Sequence, residues 1–160
     1  MRIAQNLAGH EVSIRRIIPV KDRGYTSWLA LSFFPGSRVS ILPFDVDVCD
    51  FDLVVLGCPK WTFSCPPFNE LTSRLETKVA RAAVFFITFG GFDEERYVAS
   101  AVRNLRKRGF EVRSVLKVRT KNVQSGEYTS LVDDFCRGLL ADIGTGPALS
   151  NSKPSSGVAL

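Results

Sequence analysis

The chain has 160 residues, a formal net charge of +5, a hydrophobic share of 45% and a charged share of 23%. That length favours one domain with a core of its own, and the composition excludes a fibrous or wholly disordered chain. No apolar run reaches the roughly 20 residues of a membrane span, and Met1-Arg2-Ile3-Ala4-Gln5-Asn6-Leu7 lacks the apolar stretch of a signal peptide, so a cytoplasmic protein with no membrane partner is expected.

Arg2 to Leu7 reads as the last turns of a helix, stopped at Ala8-Gly9-His10. Glu11 to Ile18 reads as a strand with apolar Val12, Ile14 and Ile17. Pro19 to Leu42 is a long connection. Within it, Trp28 to Phe34 is apolar enough to need cover, as core, as a dimer surface or as a lid beside a ligand, with core or interface the safer reading, and it suits a short helix ended by Pro35-Gly36. An Asp-rich loop, Asp45 to Asp50, leads into Asp52-Leu53-Val54-Val55-Leu56. A short apolar run without polar alternation marks a strand buried on both faces, as in a parallel sheet.

Phe68 to Lys78 is expected to be a helix, opened by Pro66 and Pro67, with Leu71 and Leu75 on one face. Ala82 to Thr88 is the second buried strand. Asp93 is placed to cap the next helix, with Glu94 and Glu95 in its first turn. Arg106, Lys107 and Arg108 fall in its last turn, and Gly109 stops it. That charge order complements the helix dipole. Phe110 to Arg119 follows as a strand, Lys121 to Glu127 as a polar loop, and Tyr128 to Leu140 as a closing helix burying Leu131, Phe135 and Leu139. The Ser, Gly and Pro content thereafter predicts a domain over residues 1–142 and a disordered tail over 143–160. Strands alternating with helices imply a three-layer α/β fold with a parallel sheet.

Four cysteines (Cys49, Cys58, Cys65 and Cys136) form no CxxC pair, and His10 is the only histidine, so no metal site is expected. Cys58 and Cys65 flank one loop and can come close. In a cytosolic chain the expectation is reduced thiols, with Cys58 serving as a small apolar residue. Much of the positive charge falls on Arg103, Arg106, Arg108, Lys117, Arg119 and Lys121. These read as a surface for an acidic partner or, equally, as the solvated faces of a helix and a strand. No aromatics are interleaved with them as stacking platforms, which weighs against nucleic acid.

In open α/β sheets, ligands sit beyond the carboxyl ends of the strands. Two loops occupy that position. One is Gly57-Cys58-Pro59-Lys60-Trp61-Thr62, followed by Phe63-Ser64-Cys65-Pro66-Pro67; the other is Thr88-Phe89-Gly90-Gly91-Phe92. Trp61 offers a flat apolar wall, and the glycines allow close approach of a planar ligand. The plainer alternatives are a loop anchor for Trp61 and an ordinary tight turn for Gly90-Gly91.

On these two loops the chain resembles the flavodoxin family, with the match in element order covering about residues 1 to 141. Asp52 to Trp61 looks like the family's third strand and its flavin loop, where the family commonly has Gly-Thr-Pro-x-Trp followed by prolines. Phe85 to Gly91 looks like its fourth strand and second flavin loop. The resemblance implies FMN (flavin mononucleotide), held by residues 57–62 and 88–92, in an electron carrier or a small flavin-dependent reductase. No side chain is singled out as catalytic. The partner would be a redox protein or a small-molecule electron donor or acceptor, and a homodimer is compatible. Trp61 would stack on the ring, Phe89 or Phe92 would form another wall, and a cation at Lys60 would favour the anionic reduced flavin.

The chain departs from that pattern at its start. The family's first strand and its Ser/Thr-x-Thr-Gly-x-Thr phosphate loop should precede the first helix, and here Met1 stands inside that helix. The expected fold is therefore flavodoxin-like with its first, central strand missing, leaving a strand-wide gap between the strands around Ile14 and Val54. Three resolutions follow: a start 15–20 residues earlier, strands that close up or borrow an edge from a second copy, or a decayed remnant. Lacking the amide nest for the phosphate, the chain is expected to bind FMN weakly. The alternative is a flavin-free module acting through protein contacts.

Overall fold

The computed structural model describes residues 2–7, 10–43, 47–77, 80–145 and 157–159. An open parallel sheet in the order β1-β5-β2-β3-β4 lies between two layers of helices. The elements in chain order are α1 (Arg2–Asn6), β1 (Glu11–Ser13), α2 (Tyr25–Ser32), β2 (Leu53–Lys60), α3 (Pro66–Arg74), β3 (Arg81–Phe89), α4 (Glu94–Lys107), β4 (Phe110–Arg119), α5 (Thr120–Ser125), α6 (Tyr128–Thr145) and β5 (Gly157–Ala159).

The continuous apolar runs of β2 and β3 are explained by burial on both faces. Val54, Leu56, Ala83, Phe85 and Ile87 pack against Phe68 and Leu71 of α3 and Tyr97, Ala101 and Leu105 of α4. Phe68 stacks on Phe85 with centroids 5.0 Å apart. On the other face, Leu53, Val55 and Val84 meet Ile3, Leu7, and Val132, Cys136 and Leu139 of α6. Asn6 Nδ2 donates to Asp133 Oδ1 at 2.7 Å, tying α1 to α6.

β4 changes face partway along. Phe110 and Val112 pack on the α3–α4 side, whereas Leu116 and Val118 pack on the α1–α6 side. Strict period-two alternation would put all four together. Ala83 pairs with Val112 but Val84 pairs with Ser114, so Arg113 is an extra residue, a β-bulge that inverts the alternation beyond it.

The expected gap between β1 and β2 is filled from within the chain. Gly157–Ala159 pairs in parallel with Glu11–Ser13 on one side and with Leu53 and Val54 on the other. So residues predicted to be disordered tail include a strand, and α6 runs on to Thr145. Residues 146–156 and Leu160 lie outside the described residues, as do Ala8, Gly9, Asp45, Val46 and Lys78 of other expected elements.

Several local expectations are corrected. β1 ends at Ser13 rather than Ile18, and among the described residues β5 pairs with it over three residues. The expected loop at 121–127 contains the short helix α5. Leu131 is exposed and Val132 is buried in its place, while Leu139 is buried and Phe135 packs against the core as expected. Asp93 does stand at the N-cap of α4, yet its side chain makes no capping bond and its φ is 51°. That left-handed backbone is one Asp tolerates better than most residues, and it turns the chain into the helix. Gly109, with φ at 91°, ends α4 as expected; a Cβ there would lie 2.6 Å from the Thr77 carbonyl oxygen.

Candidate functional site

Because β5 reaches only Leu53 and Val54, the rest of β2 has no strand partner on that side among the described residues. A cleft of about 720 Å³ opens there. Its lining draws on both faces of the sheet, from Cys58, Cys65 and Phe68 to Leu116, Val118 and Val132. The stretch after β1 supplies another wall, with Ile14, Ile17 and the side chains of Arg15 and Arg16; with Asp22 these arginines are the only charged residues lining the cleft among the described residues. Trp28 and Trp61 complete it, in edge-to-face contact with centroids 5.4 Å apart.

Gly57, Cys58, Pro59, Trp61 and Thr88, out of the residues expected to hold a cofactor, line this cleft. Lys60, Thr62, Phe89, Gly90, Gly91 and Phe92 do not. The two loops nevertheless meet. The Lys60 side chain is 3% exposed, and Nζ donates to the Thr62 carbonyl at 2.5 Å and to the Phe92 carbonyl. Phe63 and Phe92 pack edge to face at 5.3 Å. Lys60 therefore acts as a clasp between the loops. Burial lowers its pKa, and the nearby Asp93 and Glu94 charges oppose that shift.

Each remaining residue has a local task. Thr62 is held by Ser32, whose hydroxyl lies 3.0 Å from Thr62 Oγ1 and accepts from the Thr62 amide at 3.3 Å. Phe89 belongs to the core, Gly91 takes a φ of 108°, and Phe92 is largely exposed. Gly57 is explained by its cross-strand neighbour Phe86, whose ring lies where a side chain would stand.

Two thiols form part of the cleft wall. Cys58, on β2, and Cys65, the residue that precedes α3, are both buried. Cys58 Sγ also lies 3.8 Å from the Tyr97 hydroxyl. Burial pushes the Cys58 thiol well above its ordinary pKa, and Cys65 adds to the rise. The neighbouring Cys58 side chain holds Cys65 below its ordinary value, and burial opposes this. Burial raises Tyr97 as well.

Sequence reasoning allowed that Cys58 and Cys65 come close, and both line the cleft; it weighed Trp28 only as part of an apolar run and gave Arg15 and Arg16 no role. The apolar run around Trp28 was the one available signal. The two arginines carry none, since their placement depends on β1 ending early.

No helix among the described residues is long and apolar enough to cross a membrane. No family model matches the chain. Over 73 residues it is 40% identical to an uncharacterized protein of Archaeoglobus fulgidus, a match spanning 46% of this chain and 46% of that protein. The chain thus spans about half the length of the curated relative it matches. No solved structure gives a significant match.

Proposed function

We propose that the cleft binds a flat aromatic cofactor, FMN being the best candidate, and that the protein serves electron transfer as a carrier or a small reductase. The observation that carries this reading is an apolar cleft at the carboxyl end of β2, walled by Trp61 and Trp28. Its volume, about 720 Å³, falls within the roughly 300–1,000 Å³ usual for small-molecule sites. Gly57, Pro59, Trp61 and Thr88 would hold the ring. Arg15 and Arg16 supply positive charge for a phosphate that lacks an amide nest. The order β1-β5-β2-β3-β4 also fits a flavodoxin-like sheet in which β5 stands in the slot of the first strand.

When bound, the flavin itself would supply one- and two-electron chemistry. The chain's own residues would orient it, exclude water from one face and set its surroundings. Purified protein mixed with FMN and passed through a desalting column tests the reading: retained flavin absorbance supports it, and complete loss of flavin counts against it.

A second reading has its own support. The loop at Gly90 is clasped to the Trp61 loop by Lys60, and past Thr88 its residues do not line the cleft. A module that acts through protein contacts, without flavin, would need no more than that.

A further inference from the structure

We propose that a second cleft, on the α3–α4 side of the sheet, binds a small anion carrying several phosphate groups. This cleft measures about 510 Å³ and lies between α3, α4 and the stretch after α2 that runs from Pro35 to Arg38. Arg38, Arg96, Arg103, Lys107 and Arg108 line it, and Asp93 is the only acidic residue lining it among the described residues. Phe68 alone is shared with the cleft beside β2, so the two sites are separate.

Helix geometry assembles the basic row. Arg96, Ser100, Arg103 and Lys107 recur at intervals of four, three and four, which puts them on one face of α4. Tyr97, Ala101 and Leu105 form the adjoining face, which the core takes. Arg38 comes from a different segment, and the stretch that carries it is held by Asn69 of α3. Asn69 Nδ2 donates to the carbonyls of Pro35 at 3.1 Å and Ser37 at 2.8 Å, and Oδ1 lies 3.5 Å from the Tyr97 hydroxyl of α4. One side chain thus connects all three walls of the cleft.

The positive charge there is unanswered by the protein itself. None of the five cationic side chains makes an ion pair or a hydrogen bond among the described residues, whereas Arg74 pairs with Glu70 and Lys117 with Glu95. The helix dipole accounts for Lys107 and Arg108 at the end of α4, but it opposes Arg96, which stands in the first turn. Like charges gathered in a concave surface repel one another and focus a positive potential, which a bound anion relieves. The row from Arg96 to Lys107 extends about 16 Å along the helix axis. A single phosphate meets one end of it, whereas an oligophosphate reaches several cations together. Four of the five are arginines, whose forked N–H donors match phosphate oxygens. Phe63 also lines the cleft, with its ring braced by Phe33 and Phe92, and offers a surface for a base attached to the phosphates.

Full-length protein is titrated calorimetrically with tripolyphosphate, inorganic phosphate and ATP, all without divalent cations. Tripolyphosphate is expected to bind at one site per chain, more tightly than inorganic phosphate, and to weaken as potassium chloride is raised. Arg96→Ala and Arg103→Ala should each weaken it about tenfold. The control Arg119→Ala/Lys121→Ala, which removes charge outside the cleft, should leave it unchanged. ATP that binds more tightly than tripolyphosphate assigns the site to a nucleotide; ATP that binds no more tightly assigns it to a free oligophosphate. Both results support a phosphate site. In the parent protein, tripolyphosphate should shift the amide resonances of residues 36–38 and 96–108, which locates the anion even if a variant fails to fold. Absence of saturable tripolyphosphate binding, binding that Arg96→Ala and Arg103→Ala leave unchanged, or shifts confined to the segment around Arg15 and Arg16 would overturn the proposal. Tripolyphosphate carries no ring, so the outcome is independent of flavin binding in the other cleft.

Discussion

Gly57 and Phe86 are cross-strand partners, and the Phe86 ring takes the space of the side chain that Gly57 lacks: a Cβ on Gly57 would stand 1.9 Å from the ring tip. Gly57→Ala must therefore push the ring aside, toward the cleft that both residues line. Overpacking of this kind costs about 1–3 kcal/mol. The expected result is a lower urea midpoint for Gly57→Ala and recovery of most of the loss when Phe86→Leu is added. An unchanged midpoint would show that the ring moves freely.

Lys60 joins two loops through carbonyl oxygens of Thr62 and Phe92. Lys60→Met removes the donor and leaves those carbonyls without it, a loss of about 1–3 kcal/mol. Faster hydrogen exchange at residues 61–64 and 90–92 is the expected local sign. Because burial lowers the folded-state pKa, the unfolded chain binds more protons between that value and the ordinary 10.5. Stability should rise with pH across that window in the parent and lose this component in Lys60→Met, as read from denaturation midpoints at several pH values.

How much of this was legible from sequence differs by element. β2, β3 and α4 show themselves because apolar runs and charged helix ends are local signals. The bulge at Arg113 does not, since Phe110, Val112, Leu116 and Val118 keep a perfect two-residue period while changing faces. β5 was invisible because three residues within a Ser/Gly/Pro-rich stretch form a strand only by pairing with segments far away in sequence. At the site, the Trp61 loop could be read from its glycine, prolines and aromatic. The burial of Lys60 could not, because its partners are backbone carbonyls, one of them in another loop.

Gly157–Ala159 gives β1 its only strand partner among the described residues. Ending the chain at Thr145 should leave the amides of Glu11–Ser13, Leu53 and Val54 less protected from hydrogen exchange. Each lost hydrogen bond contributes about 0.5–1.5 kcal/mol, so several form a large part of a domain stability of about 5–15 kcal/mol. A drop in thermal midpoint is expected; an unaltered midpoint and unaltered protection would place the strand's contribution near zero.

The two cleft thiols should titrate apart. Cys65 is held below the ordinary 9.0 by the neighbouring Cys58 side chain, and Cys58 is raised above it by burial. Iodoacetamide labelling against pH, read by peptide mass, should therefore show Cys65 reacting with a midpoint below 9.0 and Cys58 above it. Cys58→Ala removes that side chain and should move the Cys65 midpoint upward. Equal midpoints in the parent would contradict the asymmetry.

The cleft as a flavin site is tested most directly by titrating the full-length protein with FMN while following flavin fluorescence, with riboflavin and the Trp61→Ala and Arg15→Ala/Arg16→Ala variants in parallel. The expected result is saturable quenching at one flavin per chain, weakened by Trp61→Ala for both ligands and by loss of the arginines for FMN alone. Flavin fluorescence that stays linear with added FMN, or quenching that Trp61→Ala leaves unchanged, would contradict it.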